Sequence, residues 1–156
     1  MVERINERAQ SMTTCIFCQI VEGTAPSSNV YEDEVCLAFM DIQPVNPGHV
    51  LVVPKVHSAD LSDLPPQIGA HLFQVAQRIA LSLPTTNLKN EGIDLFLAHG
   101  AAAGQDVFHV HLHVIPRYNG DGFGFKFGPN YENLPERTEL DANAAQIKQR
   151  LSKQIT

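Results

Sequence analysis

Three imidazoles stand two residues apart in the run Phe108-His109-Val110-His111-Leu112-His113-Val114-Ile115. An imidazole changes charge near neutral pH and can act as nucleophile, acid, base or metal ligand. The strict alternation with apolar residues predicts a β-strand from Val107 to Ile115, because strand side chains point to opposite faces with a period of two. His109, His111 and His113 then share one face, and Phe108, Val110, Leu112 and Val114 share the other. Burying three rings without partners would cost about 1–3 kcal/mol each, so packing alone is a poor reason for the row. A metal site and a nucleophilic site both remain open, and they can coexist.

A second group that can do chemistry is Cys15-Ile16-Phe17-Cys18. Its spacing suits a metal pair or a redox pair, but the βαβ context of a thioredoxin-like redox motif is missing. Zinc favours four tetrahedral ligands, often two Cys and two His. His57 and His109 are the candidates to complete such a set. Cys36 lies in an apolar run and reads as buried packing. Three cysteines are too few and too odd for a disulfide framework, which points to a reducing compartment, the cytoplasm by default.

The elements that must position these groups are short. A helix is expected over about Cys15–Val21, ending at Gly23. Strands are expected over Asn29–Tyr31, Val35–Phe39, His49–Val53 and Ile93–Ala98, with a loop marked by Pro44, Pro47 and Gly48. Leu64, Ile68, Leu72, Val75, Ile79 and Leu83 recur at helical spacing, which predicts a long helix from about Pro65 to Leu83 with Ser62 or Asp63 as its cap. That stripe is core. Leu140, Ala144, Ile147 and Leu151 predict a C-terminal helix after an irregular tail that begins at about residue 118. Strands joined by short connections, with one long helix inserted, favour an antiparallel sheet with helices on one side, an α+β class.

The chain has 156 residues, enough for one domain with a real core. We expect a single domain over residues 13–156 behind a disordered leader over residues 1–12, with Met12 an alternative start. Net charge is −6, which argues against a nucleic-acid or anionic-membrane partner. No apolar run approaches the roughly 18 residues of a membrane span. The first ten residues are too polar for a secretory signal.

The motifs, taken in order, identify the sequence as resembling the histidine triad (HIT) family, whose signature alternates three histidines with apolar residues. The match is His109-Val110-His111-Leu112-His113-Val114-Ile115, set between Ala103-Gly104-Gln105 and Pro116-Arg117. Further matches are Cys15-Ile16-Phe17-Cys18, Leu37-Ala38-Phe39-Met40-Asp41-Ile42, Pro47-Gly48-His49 and Val53-Pro54-Lys55. The likeness covers roughly residues 13 to 125 and is similar to the zinc-containing bacterial-type branch of nucleotide-binding hydrolases.

The resemblance implies a HIT-like fold, with a five-stranded antiparallel sheet, one long helix, a C-terminal helix, and pairing into a homodimer. It implies one structural zinc on Cys15, Cys18, His57 and His109. It implies that His111 attacks the α-phosphorus of a nucleotide, with His113, His49 and Gln105 assisting at the phosphate. The remaining ring nitrogen of His111 must then carry a proton and give it to a fixed acceptor, a backbone carbonyl being the natural one. Asp41 is expected to accept from ribose hydroxyls, with Phe17, Phe39 and Ile42 flanking the base and Asp106 and backbone at Val107 near the phosphate. The implied partner is a purine nucleotide or nucleotide conjugate.

Two positions depart from the family's pattern. Ala98-His99-Gly100 replaces the asparagine that often precedes this glycine, so His99 stands where a phosphate or ribose contact is common. Asp106 stands where serine is common, and an ionised carboxylate there would repel phosphate. The leading function is hydrolysis or nucleotidyl transfer on dinucleoside polyphosphates or nucleoside phosphoramidates. The alternatives are a nucleotide-binding regulatory protein with little turnover, and a metal-handling protein that uses all seven histidines for metal.

Overall fold

The structure is a computed structural model that describes residues 14–153, so the expected leader lies outside the described residues. Its alternating segments form β1 (Asn29–Glu32), β2 (Cys36–Met40), β3 (Val50–Pro54), β4 (Gly92–Phe96) and β5 (Leu112–Arg117). They pair antiparallel into one five-stranded sheet in the order β1-β2-β3-β5-β4. The α+β expectation, five strands with one long and one C-terminal helix, is what the chain adopts.

Alternation along the central strands divides the core in two. Cys36 and Ala38 of β2, Val50 and Val52 of β3, and Leu112 and Val114 of β5 turn to one face. There they meet Leu72, Val75, Ala76 and Ile79 of the long helix α2 (Pro66–Ser82). Leu37, Phe39, Leu51 and Val53 turn to the other face, under Cys15, Phe17 and Cys18 around the short helix α1 (Ile16–Val21). Each fully buried aliphatic side chain contributes roughly 1.5–3 kcal/mol, so both layers hold the sheet. The helices are therefore not confined to one side. The six-residue α1 carries too short a pattern to reveal which face it covers.

Two boundaries differ from expectation. Neither Ser62 nor Asp63 caps α2. The capping position is Pro65, in extended conformation with φ −58° and ψ 133°. A residue before proline is driven out of the helical region, and Pro66 needs no N–H at the first helical position, so the start falls there. The backbone N–H of Ser62 instead goes to Asp60 Oδ1 at 2.8 Å. The histidine strand is regular only from Leu112. Its ladder with β3 ends at the pair Val52 and Leu112, and a turn at His109 donates its N–H to the Val107 carbonyl at 2.9 Å. Val110 N–H finds the Ser58 carbonyl at 2.7 Å, so the segment before β5 leans on the loop that follows β3.

Composition changes after Arg117, and the chain divides into two compact units between Gly122 and Phe123. The second contains α3 (Arg137–Leu151), where Leu140, Ile147 and Leu151 are exposed. Among the described residues, no helix is long and apolar enough to cross a membrane.

Candidate active site

His111 is buried, with its ring set edge-on to Phe17 at 5.2 Å and to His113 at 4.8 Å between centroids. Its Nδ1 lies 2.7 Å from the carbonyl oxygen of His109. A carbonyl only accepts, so the tautomer assigned by this contact has Nδ1–H donating and leaves a lone pair on Nε2. Burial pushes the pKa of the ring below its ordinary value, opposed by that hydrogen bond and by the charges of Asp41 and Asp106. The result is a neutral imidazole with one fixed proton and one bare nitrogen, as a nucleophile requires.

His113 and His49 form a second unit beside it. His49 Nε2 stands 2.8 Å from His113 Nδ1, and the backbone N–H of Val45 donates to His49 Nδ1 at 3.2 Å. Because Nδ1 of His49 accepts, its Nε2 carries the proton and donates to His113, whose own Nε2 then carries the outward N–H. Burial lowers the pKa of His49, offset by Asp41, whose Oδ2 is 3.5 Å from His49 Nδ1. Burial, with His111 and His49 adding to it, pushes His113 down to about 4. β3 and β5 bring these rings together, since Leu51 pairs with His113 and His49 immediately precedes β3.

The structure sorts the remaining expected residues. Phe17 and Phe39 are buried and meet edge to face at 5.6 Å, so they are core as well as wall. Asp41 has Oδ1 occupied by the Gln43 N–H at 2.8 Å and Oδ2 turned to His49. Ile42 is 94% exposed and is not packed with Phe17 or Phe39. Asp106 is exposed, while Val107 packs on the α1 side of the core.

Gln105 stands in the loop before the triad. Its Nε2 donates to the carbonyls of Ala59, at 2.7 Å, and Val107, at 3.1 Å, and its Oε1 accepts from Gly100 N–H at 2.8 Å. Both amide protons meet backbone carbonyls in this structure, so Gln105 shapes the loop. Gly100 and Gly104 both adopt positive φ there, +84° and +86°, which lets the loop double back on that amide.

The metal-type residues also converge. One ligand atom from each of Cys15, Cys18, His57 and His109 lies within 4.8 Å of the other three. His57 Nδ1 is 3.2 Å from Cys18 Sγ, and His109 Nδ1 is 3.4 Å from Cys15 Sγ. His109 Nε2 donates to the Pro54 carbonyl at 2.9 Å, which orients the ring and leaves Nδ1 with its lone pair toward the thiols. Burial pushes His109 down to about 4, and burial with Cys15 beside it raises Cys18 to about 12. Two Cys and two His in one cluster, all but His57 buried, fit the donor set of zinc.

Comparison with known proteins gives the relationship. The HIT domain model matches residues 22–120. The chain belongs to the HIT domain family. It is 47% identical over 118 residues to an uncharacterized HIT-like protein of Borreliella burgdorferi, covering 75% of this chain and 85% of that one. The crystal structure of a zinc-bound histidine triad family protein from Mycobacterium smegmatis has 45% identity and a TM-score of 0.70, covering 79% of this chain and 88% of that one. An adenylylsulfatase, HINT3 of Arabidopsis thaliana, is 35% identical over 115 residues, covering 74% of this chain and 58% of that one.

Within this HIT domain, sequence reasoning missed a set of polar residues that hold the histidines in place. Buried Asn46 donates from Nδ2 to the Pro116 carbonyl at 2.8 Å and to Asp121 Oδ2 at 2.9 Å, while its own carbonyl accepts His49 N–H at 3.1 Å. Arg117 Nε donates to the same Asp121 oxygen at 2.6 Å. The loop before β3 is thereby tied to the end of β5, the two places that carry His49 and His113. Asn46 between prolines reads only as a loop residue, so the sequence held no signal for this tie. His99, on the other side of the triad, accepts Leu61 N–H on Nδ1 at 3.1 Å.

Proposed function

We propose that the protein is a nucleotide hydrolase or nucleotidyl transferase that works through a nucleotidyl-histidine on His111. The observation that carries this reading is the 2.7 Å contact of His111 Nδ1 with the His109 carbonyl, which assigns the proton to Nδ1 and the lone pair to Nε2. Nε2 attacks the α-phosphorus of a nucleoside monophosphate joined to a leaving group. The bond from phosphorus to the leaving oxygen or nitrogen breaks, and the leaving group departs with that electron pair and takes up a proton. Water then attacks the same phosphorus as the P–Nε2 bond breaks; its oxygen stays in the released monophosphate, its proton goes to solvent, and the bond's electron pair returns to Nε2, leaving His111 neutral. The outward N–H of His113 is the donor for charge growing on the phosphoryl oxygens, and His49 holds that N–H in place. Such neutral donors can hold phosphate in a chain of net charge −6.

The substrates proposed are dinucleoside polyphosphates and nucleoside phosphoramidates, with purine nucleotides as the binding partner and Asp41 toward the ribose. Asp41 keeps acceptor capacity for a ribose hydroxyl, since Oδ1 takes a single N–H, from Gln43, and Oδ2 faces the accepting Nδ1 of His49. The adenylylsulfatase among the relatives supports chemistry at an adenylyl phosphorus. We also propose a structural zinc on Cys15, Cys18, His57 and His109, a homodimer, and a cytoplasmic setting. When bound, the zinc would cross-link α1 to the segments that carry His57 and His109, and the phosphoryl chemistry stays with His111.

Rapid quenching with adenosine 5′-phosphoramidate or diadenosine tetraphosphate, followed by mass spectrometry, tests the central step. An adenylyl adduct on His111 is expected, with no adduct and no released monophosphate from His111→Ala. Turnover that survives that substitution would remove the nucleophile. Tight monophosphate binding without any turnover would favour the regulatory reading.

A further inference from the structure

The face of the sheet away from the triad carries a second group of chemically capable side chains. Asp33, in the turn between β1 and β2, accepts the N–H groups of Val35 and Cys36 on Oδ1, both at 2.8 Å. Its Oδ2 accepts the Tyr31 hydroxyl at 2.9 Å and faces His71 Nε2, on α2, at 2.7 Å. Cys36, the first residue of β2, is fully buried with its side chain on the α2 side. One ligand atom from each of Asp33, Cys36 and His71 lies within 4.8 Å of the other two. The carboxylate and the imidazole are partly exposed, at 23% and 33%, so the group is open to solvent on one side.

We infer that Asp33, Cys36 and His71 form a second site for a borderline-soft divalent ion such as zinc, separate from the four-residue cluster beneath α1. The donor chemistry is that of an open zinc site: one thiolate, one imidazole, one carboxylate and a fourth position for water. A carboxylate and a thiolate together balance a dication. The hydrogen bonds from Val35 and Cys36 hold the carboxylate, and the hydroxyl of Tyr31, whose ring lies under the Arg78 guanidinium, holds its other oxygen, which is the outer support that ligating carboxylates need. On binding, the Cys36 thiol proton leaves to solvent. His71 gives up the Nε2 proton that it shares with Asp33, exchanging that hydrogen bond for a bond to the ion. Because the thiol must lose its proton to ligate, uptake weakens as pH falls. An ion here would clamp the turn between β1 and β2 onto α2, which the phosphoryl chemistry does not require.

Metal analysis of the full chain tests this, with zinc for stoichiometry and cobalt as the spectroscopic probe. The wild type is expected to hold two equivalents of zinc and to show a thiolate-to-cobalt absorption band with a contribution from Cys36. Cys36→Ser and His71→Gln should each lose one equivalent and keep the other, while Cys15→Ser loses the other one. His71 is on the half-exposed side of α2, so His71→Gln keeps the test sound if Cys36→Ser fails to fold. A metal count and cobalt band unchanged by His71→Gln overturn the site, as does a wild type that binds no metal. His111→Ala should leave both equivalents in place, so the metal count can fail or succeed independently of the nucleotide chemistry.

Discussion

At the scale of single residues, the site works by assigning protons. Four imidazoles crowd together, and each would be an ambiguous ring without a neighbour that can only give or only take. The His109 carbonyl decides for His111, and the Val45 N–H decides for His49, which in turn decides for His113. His49 is therefore a positioning residue whose loss should act through His113. His49→Ala is expected to lower kcat by about 10- to 100-fold, at or below the usual range for general acid–base partners, with a smaller change in KM. His49→Gln, which keeps an N–H donor near the same place, should recover part of the loss. Steady-state kinetics on both variants checks this, and equal effects on kcat and KM, with no recovery by Gln, would reduce His49 to packing. The triad itself was legible in the sequence because residue type and period are visible there. The tautomers were only half legible: a carbonyl acceptor could be anticipated for His111, but the Val45 contact depends on how the loop folds. Gln105 shows the limit. Its type suits phosphate, but the backbone groups that its amide meets, at Gly100, Ala59 and Val107, are set by how the loop folds.

At the scale of elements, β3 and β5 set the histidines side by side while α1 closes over them. Phe17 of α1 lies against His111, and Cys15 and Cys18 at the same helix reach His109 and His57. A short helix of six residues has little stability of its own, so its place rests on those contacts. Cys15→Ser is expected to halve the number of thiol ligands, lower the zinc content by one equivalent and reduce the melting temperature by several degrees. The His111 adduct should still form, more slowly, because no ligand acts on phosphorus. Elemental analysis and calorimetry check this; an unchanged melting temperature would mean that α1 stays in place without the ion. The strands and α2 were legible from periodicities of two and 3.6. The side of the sheet that α1 covers was not, nor was the first residue of α2, where consecutive prolines outweighed the capping residues upstream.

At the scale of the whole molecule, the buried histidines tie folding to pH. His49, His109, His111 and His113 are all shifted below the ordinary imidazole value, with burial the largest cause, and His109 and His113 reach about 4. An unfolded chain would protonate these rings near pH 6.5, whereas the folded chain resists. Between about 6.5 and 4 the unfolded state therefore binds more protons, so stability is full above that window and falls as pH drops through it. Asp33 acts in a different range. Although burial alone would raise its pKa, the hydrogen bonds from Cys36, His71, Val35 and Tyr31 outweigh burial and hold its carboxyl well below the usual carboxylate range. Its contribution is present above the ordinary carboxylate value and survives until strong acid. Metal ligation by His57 and His109 would steepen the histidine loss, since ligands must be deprotonated. Urea midpoints measured at pH 7.5, 6 and 5 should fall steadily, and replacing His113 with Asn should flatten part of that slope. A midpoint that holds constant from pH 7.5 to 5 would mean that the rings are already solvated in the folded state, and with that the bare nitrogen of His111 would lose its protected setting.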